Sequence, residues 1–330
     1  MTVATENFIA ELGRLLPPAG VLHHPEDVRP YECDGLSAYR ALPRVVVLPE
    51  TEEQIVRLLR LCHEARVPVV ARGAGTGLSG GALPHKDGVL LSLAKFMKIL
   101  DIDPLARTAR VEPGVRNLAI SEAVARHGLY YAPDPSSQIA CTIGGNVAEN
   151  SGGVHCLKYG LTVHNVLKVR GVTMDGAIVE FGADSLDAPG YDLLALMNGS
   201  EGMLAVITEV TVKLTPKPEK AQVVMAAFDD IERAGDAVAA IIASGIVPAG
   251  LEMMDQITTR AVEDFVHAGY NLDAEAILLC ESDGTAEEVA DEIARVTKVL
   301  EAHGATDIRA SRDEAERLRF WAGRKAAFPA

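Results

Sequence analysis

The sequence predicts an α+β protein, and three observations carry that prediction. Short β-prone runs alternate with runs of helical period through most of the chain. A loop crowded with five glycines joins one apolar run to another, with no helix after it. The proline-containing stretch Thr215-Pro216-Lys217-Pro218 then closes that region, and a regular strand–helix rhythm follows. The chain therefore reads as a helical arm over residues 1–42, a first α/β region over 43–218, and an α+β layer over 219–330, its sheet covered by helices.

The arm ends in turns marked by Gly and Pro. Residues 45–48 are a short apolar strand, stopped at Pro49-Glu50-Thr51. Thr51 and Gln54 form a capping box, each side chain satisfying an orphan backbone N–H at a helix start. Ile55, Leu58, Leu59 and Cys62 then give that helix one buried face. A strand at 67–71 runs into the glycine loop, and another at 89–93 leaves it. Residues 111–113 read as a strand and 118–127 as a helix. Two β-prone runs, 166–174 and 177–181, meet at Asp175-Gly176, where glycine supplies the positive φ of a hairpin turn. Residues 203–214 are again β-rich. Beyond the prolines, strands are expected at 223–228, 250–254, 276–281 and 307–310. Helices are expected at 231–244, 257–266 and 286–303, with a last one from near Arg312.

Composition excludes several classes. A balance of 23% charged and 48% hydrophobic residues is that of a globular chain rather than a disordered one. The net charge of -15 argues against nucleic acid, whose phosphates reward clustered Lys and Arg. It leaves room for a small anion, because one arginine in a pocket outweighs distant acids screened by salt. The five cysteines, Cys33, Cys62, Cys141, Cys156 and Cys280, form no C-x-x-C pair, so neither an iron–sulfur run nor a zinc ribbon is expected, and no metal site. The N-terminus has no signal-peptide pattern, and the longest apolar tract, 237–247, is too short to span a bilayer. A cytoplasmic setting follows, with membrane attachment only through a partner.

Three segments carry chemistry. The first, ARGAGTGLSGG at 71–81, places Gly73, Gly75, Gly77, Gly80 and Gly81 at a strand end. Glycines there let successive backbone N–H groups turn toward one anion, a nest suited to a diphosphate. Gly75 to Gly80 also satisfies G-x-G-x-x-G, with Asp101 at about the distance expected of a ribose-binding acid. That nicotinamide reading needs a helix opening at the last glycine. Here Ala82-Leu83-Pro84 and a β-prone run follow instead. The second segment, PDPSSQIACTIGGNVAENSGG at 133–153, alternates hydroxyls and glycines, with Ile139, Ile143 and Val147 anchoring it to a core. The third, NGSEGMLAVIT at 198–208, is a turn entering a β-rich run.

In order and chemistry these segments resemble the FAD domain of the vanillyl-alcohol oxidase/p-cresol methylhydroxylase superfamily. Within it the chain is most similar to the D-2-hydroxyacid dehydrogenase group, which holds FAD-linked subunits of bacterial glycolate oxidases and D-lactate dehydrogenases. The resemblance runs from about Pro43 to the last residue. It implies a two-subdomain p-cresol methylhydroxylase-type FAD-binding domain, followed by an incomplete ferredoxin-like α+β cap. It assigns Arg72, Gly73, Ala74, Gly75, Thr76, Gly77, Leu78 and Ser79 to the diphosphate loop, closed by Gly80 and Gly81. Asp134, Ser137, Thr142, Gly144, Gly145, Asn146, Asn150 and Gly153 would line the diphosphate, ribityl and isoalloxazine. Glu201, Gly202 and Ile207 would hold the adenosine end. His155 and Cys156 match no tethering motif, so non-covalent FAD is expected.

The resemblance also implies that Arg324, in Phe320-Trp321-Ala322-Gly323-Arg324, grips a substrate carboxylate, as a guanidinium fork suits. Without it, Arg324 would read as a solvated helix arginine like Arg317 and Arg319. The implied reaction removes the proton of a 2-hydroxyl while hydride passes to flavin. The family's histidine base lies in an HAGDGN motif absent here, so no catalytic residue is assigned. His267 and His303 read as helix-end groups. The chain stops where relatives continue, which suggests the N-terminal part of a longer protein. Sister flavin and iron–sulfur subunits are the implied partners. Two other readings stay open: a flavin-binding subunit without catalysis of its own, and a nicotinamide-dependent dehydrogenase.

Overall fold

A computed structural model describes residues 3–184 and 189–327. The chain divides into two compact units. The first holds the chain up to Ala132 together with Ser137–Ser151 and Leu161–Thr215; the second holds Pro133–Ser136, Gly152–Gly160 and the chain from Pro216 onward.

The first unit begins with helix α1 (Val3–Leu15), then β1 (Val21–Leu22), β2 (Val45–Val47), α2 (Glu52–Glu64), β3 (Val69–Arg72) and β4 (Val89–Ser92). These strands form a sheet in the order β1-β2-β4-β3. Strands β2, β4 and β3 run parallel, and β1 is antiparallel at the edge. The capping box at Thr51 and Gln54 opens α2, whose Ile55, Leu58, Leu59 and Cys62 are buried. The arm is no appendage. Phe8, Leu12 and Leu16 pack into the same core as those residues, and Val21 pairs with Val47.

Strands β5 (Ile99–Asp103) and β6 (Thr108–Val111) follow, then helices α3 (Asn117–Val124) and α4 (Ile143–Glu149), and strands β7 (Val166–Val172), β8 (Ile178–Gly182) and β9 (Val206–Lys213). They build an antiparallel sheet, order β5-β6-β9-β7-β8. Glu52 links the two sheets: it accepts a fork from Arg170 of β7 at 2.8 and 2.9 Å, and the Thr208 hydroxyl of β9 at 2.7 Å. Strand β1 in the arm, helix α4 and strand β5 were not expected from the sequence. Helix α4 was hidden because glycine pairs depress helix propensity, and β5 because its ILDID run is half polar. Ile139, expected in the core, is 65% exposed, whereas Ile143 and Val147 are buried in it.

The second unit contains β10 (Lys220–Phe228), α5 (Ile231–Ala243), β11 (Gly250–Asp255), α6 (Gln256–Val266), β12 (Ala276–Gly284), α7 (Ala286–Ala302), β13 (Asp307–Ala310) and α8 (Glu314–Ala326). Its antiparallel sheet runs β11-β12-β10-β13. A β–α–β–β–α–β order with these neighbours is the ferredoxin-like split, with α6 inserted. Val224, Ala226, Phe228, Leu278 and Cys280 face α5 and α7, while Val223, Met225, Ala227, Ile277 and Leu279 face α6 and α8. With both faces covered, β12 is buried through Asp283. No helix among the described residues is long and apolar enough to cross a membrane.

Candidate functional site

The first unit brings the three glycine-bearing segments together. Strand β3 delivers the chain into the loop at Gly73 and β4 takes it away, with no helix between, so the loop has the strand–loop–strand form. A Cβ built on Gly73 would stand 2.3 Å from Thr142 Oγ1 and 3.8 Å from the Gly145 Cα, which places the first segment directly on the second. Gly75 has φ +70°, and a Cβ there would strike the Arg72 guanidinium. That guanidinium donates to the Cys33 carbonyl at 2.7 Å and lies over the Tyr31 ring. A Cβ on Gly35 would meet the carbonyls of Thr76 and Gly77 at 2.8 Å. Residues 31–35 of the arm thus brace the loop, which sequence reasoning did not foresee. Ala74, Leu78, Ser79 and Gly81 are exposed, while Thr76, Gly77 and Gly80 are half-buried.

The third segment joins through the backbone. The Gly199 N–H donates to the Val147 carbonyl at 2.9 Å, and the Glu201 N–H to that of Ala148 at 2.7 Å, both in α4. The Glu201 carboxylate lies against Gly81, and Gly202 against Ala71. Burial and the neighbouring Glu201 and Asp34 charges push the Glu149 carboxyl above its ordinary range. Ile207 is a buried residue of β9. The carboxamides are engaged internally: Asn146 accepts from Asn117 at 3.0 Å and donates to Ser151, and Asn150 accepts from the Val163 N–H at 2.9 Å. Gly144 packs on Pro113, and the Ser137 carbonyl accepts from Ala140 and Cys141.

Thr142 is the exception. It precedes α4 as its N-cap yet makes no side-chain cap bond, and its buried hydroxyl has no partner among the described residues. An N-cap threonine ordinarily gives its oxygen to the helix N–H groups. Here the hydroxyl is turned to Gly73 instead. A side-chain donor facing a glycine nest is the donor set that a diphosphate oxygen takes. On that ground the residues present fit FAD.

The second unit holds Asp134, Gly153 and Arg324 from the sequence-derived set, and a cluster that sequence reasoning missed. Strand β12 continues the register of Ile277 and Leu279 with Glu281 and Asp283, so two acids take core positions. Glu281 is 2% exposed. Its carboxylate accepts from Arg317 Nη1 at 2.9 and 3.0 Å, from the Trp321 indole N–H, and contacts His155 Nε2 at 3.1 Å. The other ring nitrogen, Nδ1, is 2.8 Å from Asp134, which also faces Lys325 at 3.6 Å. Burial opposes charge on His155, but the bonds to Asp134 and Glu281 outweigh it and push its pKa up to about 9. Burial likewise works against ionised Glu281, and His155, Arg317 and Trp321 together hold it below the ordinary range. With both nitrogens engaged, His155 is no candidate base.

Arg317 corrects an expectation: it is not a solvated arginine like the half-exposed Arg319, because it forks to Glu314 as well as binding Glu281. Arg324 reaches Glu252 of β11 with Nε and Nη2, each 2.9 Å from one oxygen. Arg324 thus already holds a carboxylate of its own chain. His267 and His303 do terminate helices, as expected. The signal that could have found the cluster is the run AILLCESDG, where buried alternation carries two acids inward and so demands cations. Among the described residues no group of three or more His, Cys, Asp or Glu could hold a metal.

Comparison with known proteins gives these residues a context. The family described as FAD binding domain matches residues 43–182, and that described as FAD linked oxidases, C-terminal domain, matches 217–330. A D-lactate dehydrogenase of Anaerostipes hadrus is 34% identical over 96% of this chain and 68% of its own length. This chain belongs to the FAD-linked oxidases. A glycolate oxidase subunit of Escherichia coli is 65% identical over 96% of this chain, and one of Bacillus subtilis is 40% identical over 91%. The chain spans 63% and 64% of those two relatives. The fold is shared with p-cresol methylhydroxylase, at TM-score 0.82 and 19% identity over 99% of this chain and 72% of that one. An alkyldihydroxyacetonephosphate synthase gives 0.81 at 20% identity, covering 98% of this chain and 64% of its own. This flavoprotein is thus an α+β protein of the p-cresol methylhydroxylase type whose cofactor is FAD.

Proposed function

We propose that this flavoprotein oxidises a small 2-hydroxy acid, glycolate or D-lactate, to the 2-oxo acid, and passes the electrons to an acceptor other than a nicotinamide. The observation that carries the reading is the meeting of three glycine-bearing segments in a strand–loop–strand cradle, with the unpartnered Thr142 hydroxyl facing the first of them. That form lacks the helix a nicotinamide fingerprint requires. The names of the relatives, glycolate oxidase subunit and D-lactate dehydrogenase, supply the substrate class. The word subunit in the first supports an assembly with sister chains; the proposal places that assembly in the cytoplasm, with any membrane attachment made through the partners.

Residues 72–81, Thr142, Gly144, Gly145, Glu201 and Gly202 of the first unit hold FAD without a covalent bond in this reading. FAD held there would supply a two-electron acceptor for the hydride of the hydroxyl-bearing carbon. Arg324 orients the substrate by its carboxylate, exchanging Glu252 for the incoming acid.

The test uses the protein purified at its natural length. Acid precipitation should release all the flavin, and anaerobic glycolate or D-lactate should bleach it. Arg324→Lys keeps the charge but loses the fork, so the half-saturating acid concentration should rise about tenfold with flavin content unchanged. Bleaching by NADH but by neither acid would sink the proposal.

A further inference from the structure

The chain leaves the second unit after Ser136 and re-enters it at Gly152; the intervening Ser137–Ser151, which carries Thr142 and α4, belongs to the first unit. The two ends of this excursion meet within the second unit. A Cβ on Gly153 would stand 2.5 Å from the carbonyl carbon and Oδ1 of Asp134, so only glycine permits the approach. The His155 N–H then donates to Asp134 Oδ1 at 3.3 Å, and Nδ1 lies 2.8 Å from Oδ2. On its far side the same ring meets Glu281, itself fixed by Arg317 and Trp321.

We infer that His155, as an imidazolium bridging Asp134 to Glu281, is the clasp that closes this excursion and positions its flavin-binding residues, so that loss of its proton loosens cofactor retention. The inference rests on the reading of Ser137–Ser151 as a flavin-binding segment. A neutral imidazole has one N–H and cannot donate to two carboxylates; its lone pair would face one of them. Closing the ends of a loop removes conformational freedom from everything between them, which is how a contact at the neck acts on residues along it. The bridging bonds raise the pKa of His155 from 6.5 to about 9, against the pull of burial. The clasp is therefore complete below about 6.5 and is lost as pH rises through about 9.

Other charges face the same groups. Lys325 lies 3.6 Å from Asp134, Arg317 binds Glu281 and Glu314, and on the histidine's own helical turn Lys158 and Tyr159 pair with Asp283. Lys325 and Arg317 keep both carboxylates partly neutralised when His155 loses its proton. The expected effect is a loosening rather than unfolding.

The FAD-loaded chain supplies two signals. Trp321 is its only tryptophan, with ring centroid 6.0 Å from that of His155, so its emission reports the charge on the imidazole. Flavin fluorescence reports retention. In the wild type both signals should step together near pH 9. His155→Gln should bind FAD about tenfold more weakly at pH 7, the loss of charged hydrogen bonds, with no step thereafter. Asp134→Asn, which removes one of the groups raising that pKa, should move the step to lower pH; a merely structural contact would not shift it. A wild-type flavin affinity constant across the Trp321 step would overturn the inference, as would the same step in His155→Gln. A chain that binds no flavin at any pH while Trp321 still titrates would instead sink the flavin reading of Ser137–Ser151, and the retention effect with it.

Discussion

Glu281→Ala is expected to destabilise the second unit by about 3–5 kcal/mol, the usual result of removing one partner from a buried ion pair. The carboxylate is 2% exposed and meets three groups at once: Arg317, the Trp321 indole and His155. Without it, a largely buried guanidinium keeps only Glu314, the indole N–H loses its acceptor, and His155 loses half its support. The alanine also leaves a space on the interior strand β12 beside the Trp321 indole. Glu281→Gln keeps an acceptor oxygen and the volume but loses the charge, so its loss should be smaller. Urea unfolding followed by Trp321 emission gives both numbers for this unit. A loss below about 1 kcal/mol for alanine would mean that water replaces the carboxylate, as at exposed pairs.

How much of this could be read from the sequence differs by level. The capping box at Thr51 and the turn at Gly176 were legible because each depends on neighbours a few residues apart. So was the strand–helix order of residues 220–326, where hydrophobic period decides the element. Helix α4 was not, because its Ile-Gly-Gly-Asn start has poor propensity and tertiary packing of Ile143 and Val147 overrides it. Arg317 was misjudged for a similar reason: nothing local distinguishes it from Arg319, and only the placement of Glu281 opposite α8 does. His155 looked isolated because its partners lie 21 and 126 residues away. The glycine loop was visible, but the bracing of its far side by Cys33 and Gly35 was not, since the arm carries no pattern of its own.

Gly73→Ala should lower FAD affinity by at least about 100-fold, close to 2.7 kcal/mol, whereas Gly77→Ala should stay near wild type. Composition makes the two look equivalent, but geometry separates them. The added carbon at Gly73 would sit 2.3 Å from Thr142 Oγ1, a contact that cannot stand, so either the loop or the threonine must move. At Gly77 the nearest atom would be Glu149 Oε2 at 3.7 Å, an ordinary van der Waals distance at the end of a flexible side chain. Circular dichroism should confirm that both variants fold, and flavin fluorescence titration gives the affinities. The double variant Gly73→Ala/Thr142→Ala removes the struck hydroxyl and so relieves the clash. If Thr142 donates to the cofactor, the double variant should fold as well as wild type and still bind FAD weakly. Full recovery of affinity would show that the hydroxyl only fills space beside the loop. Equal losses in the two single variants would show that cofactor, rather than Thr142, is what each added methyl strikes.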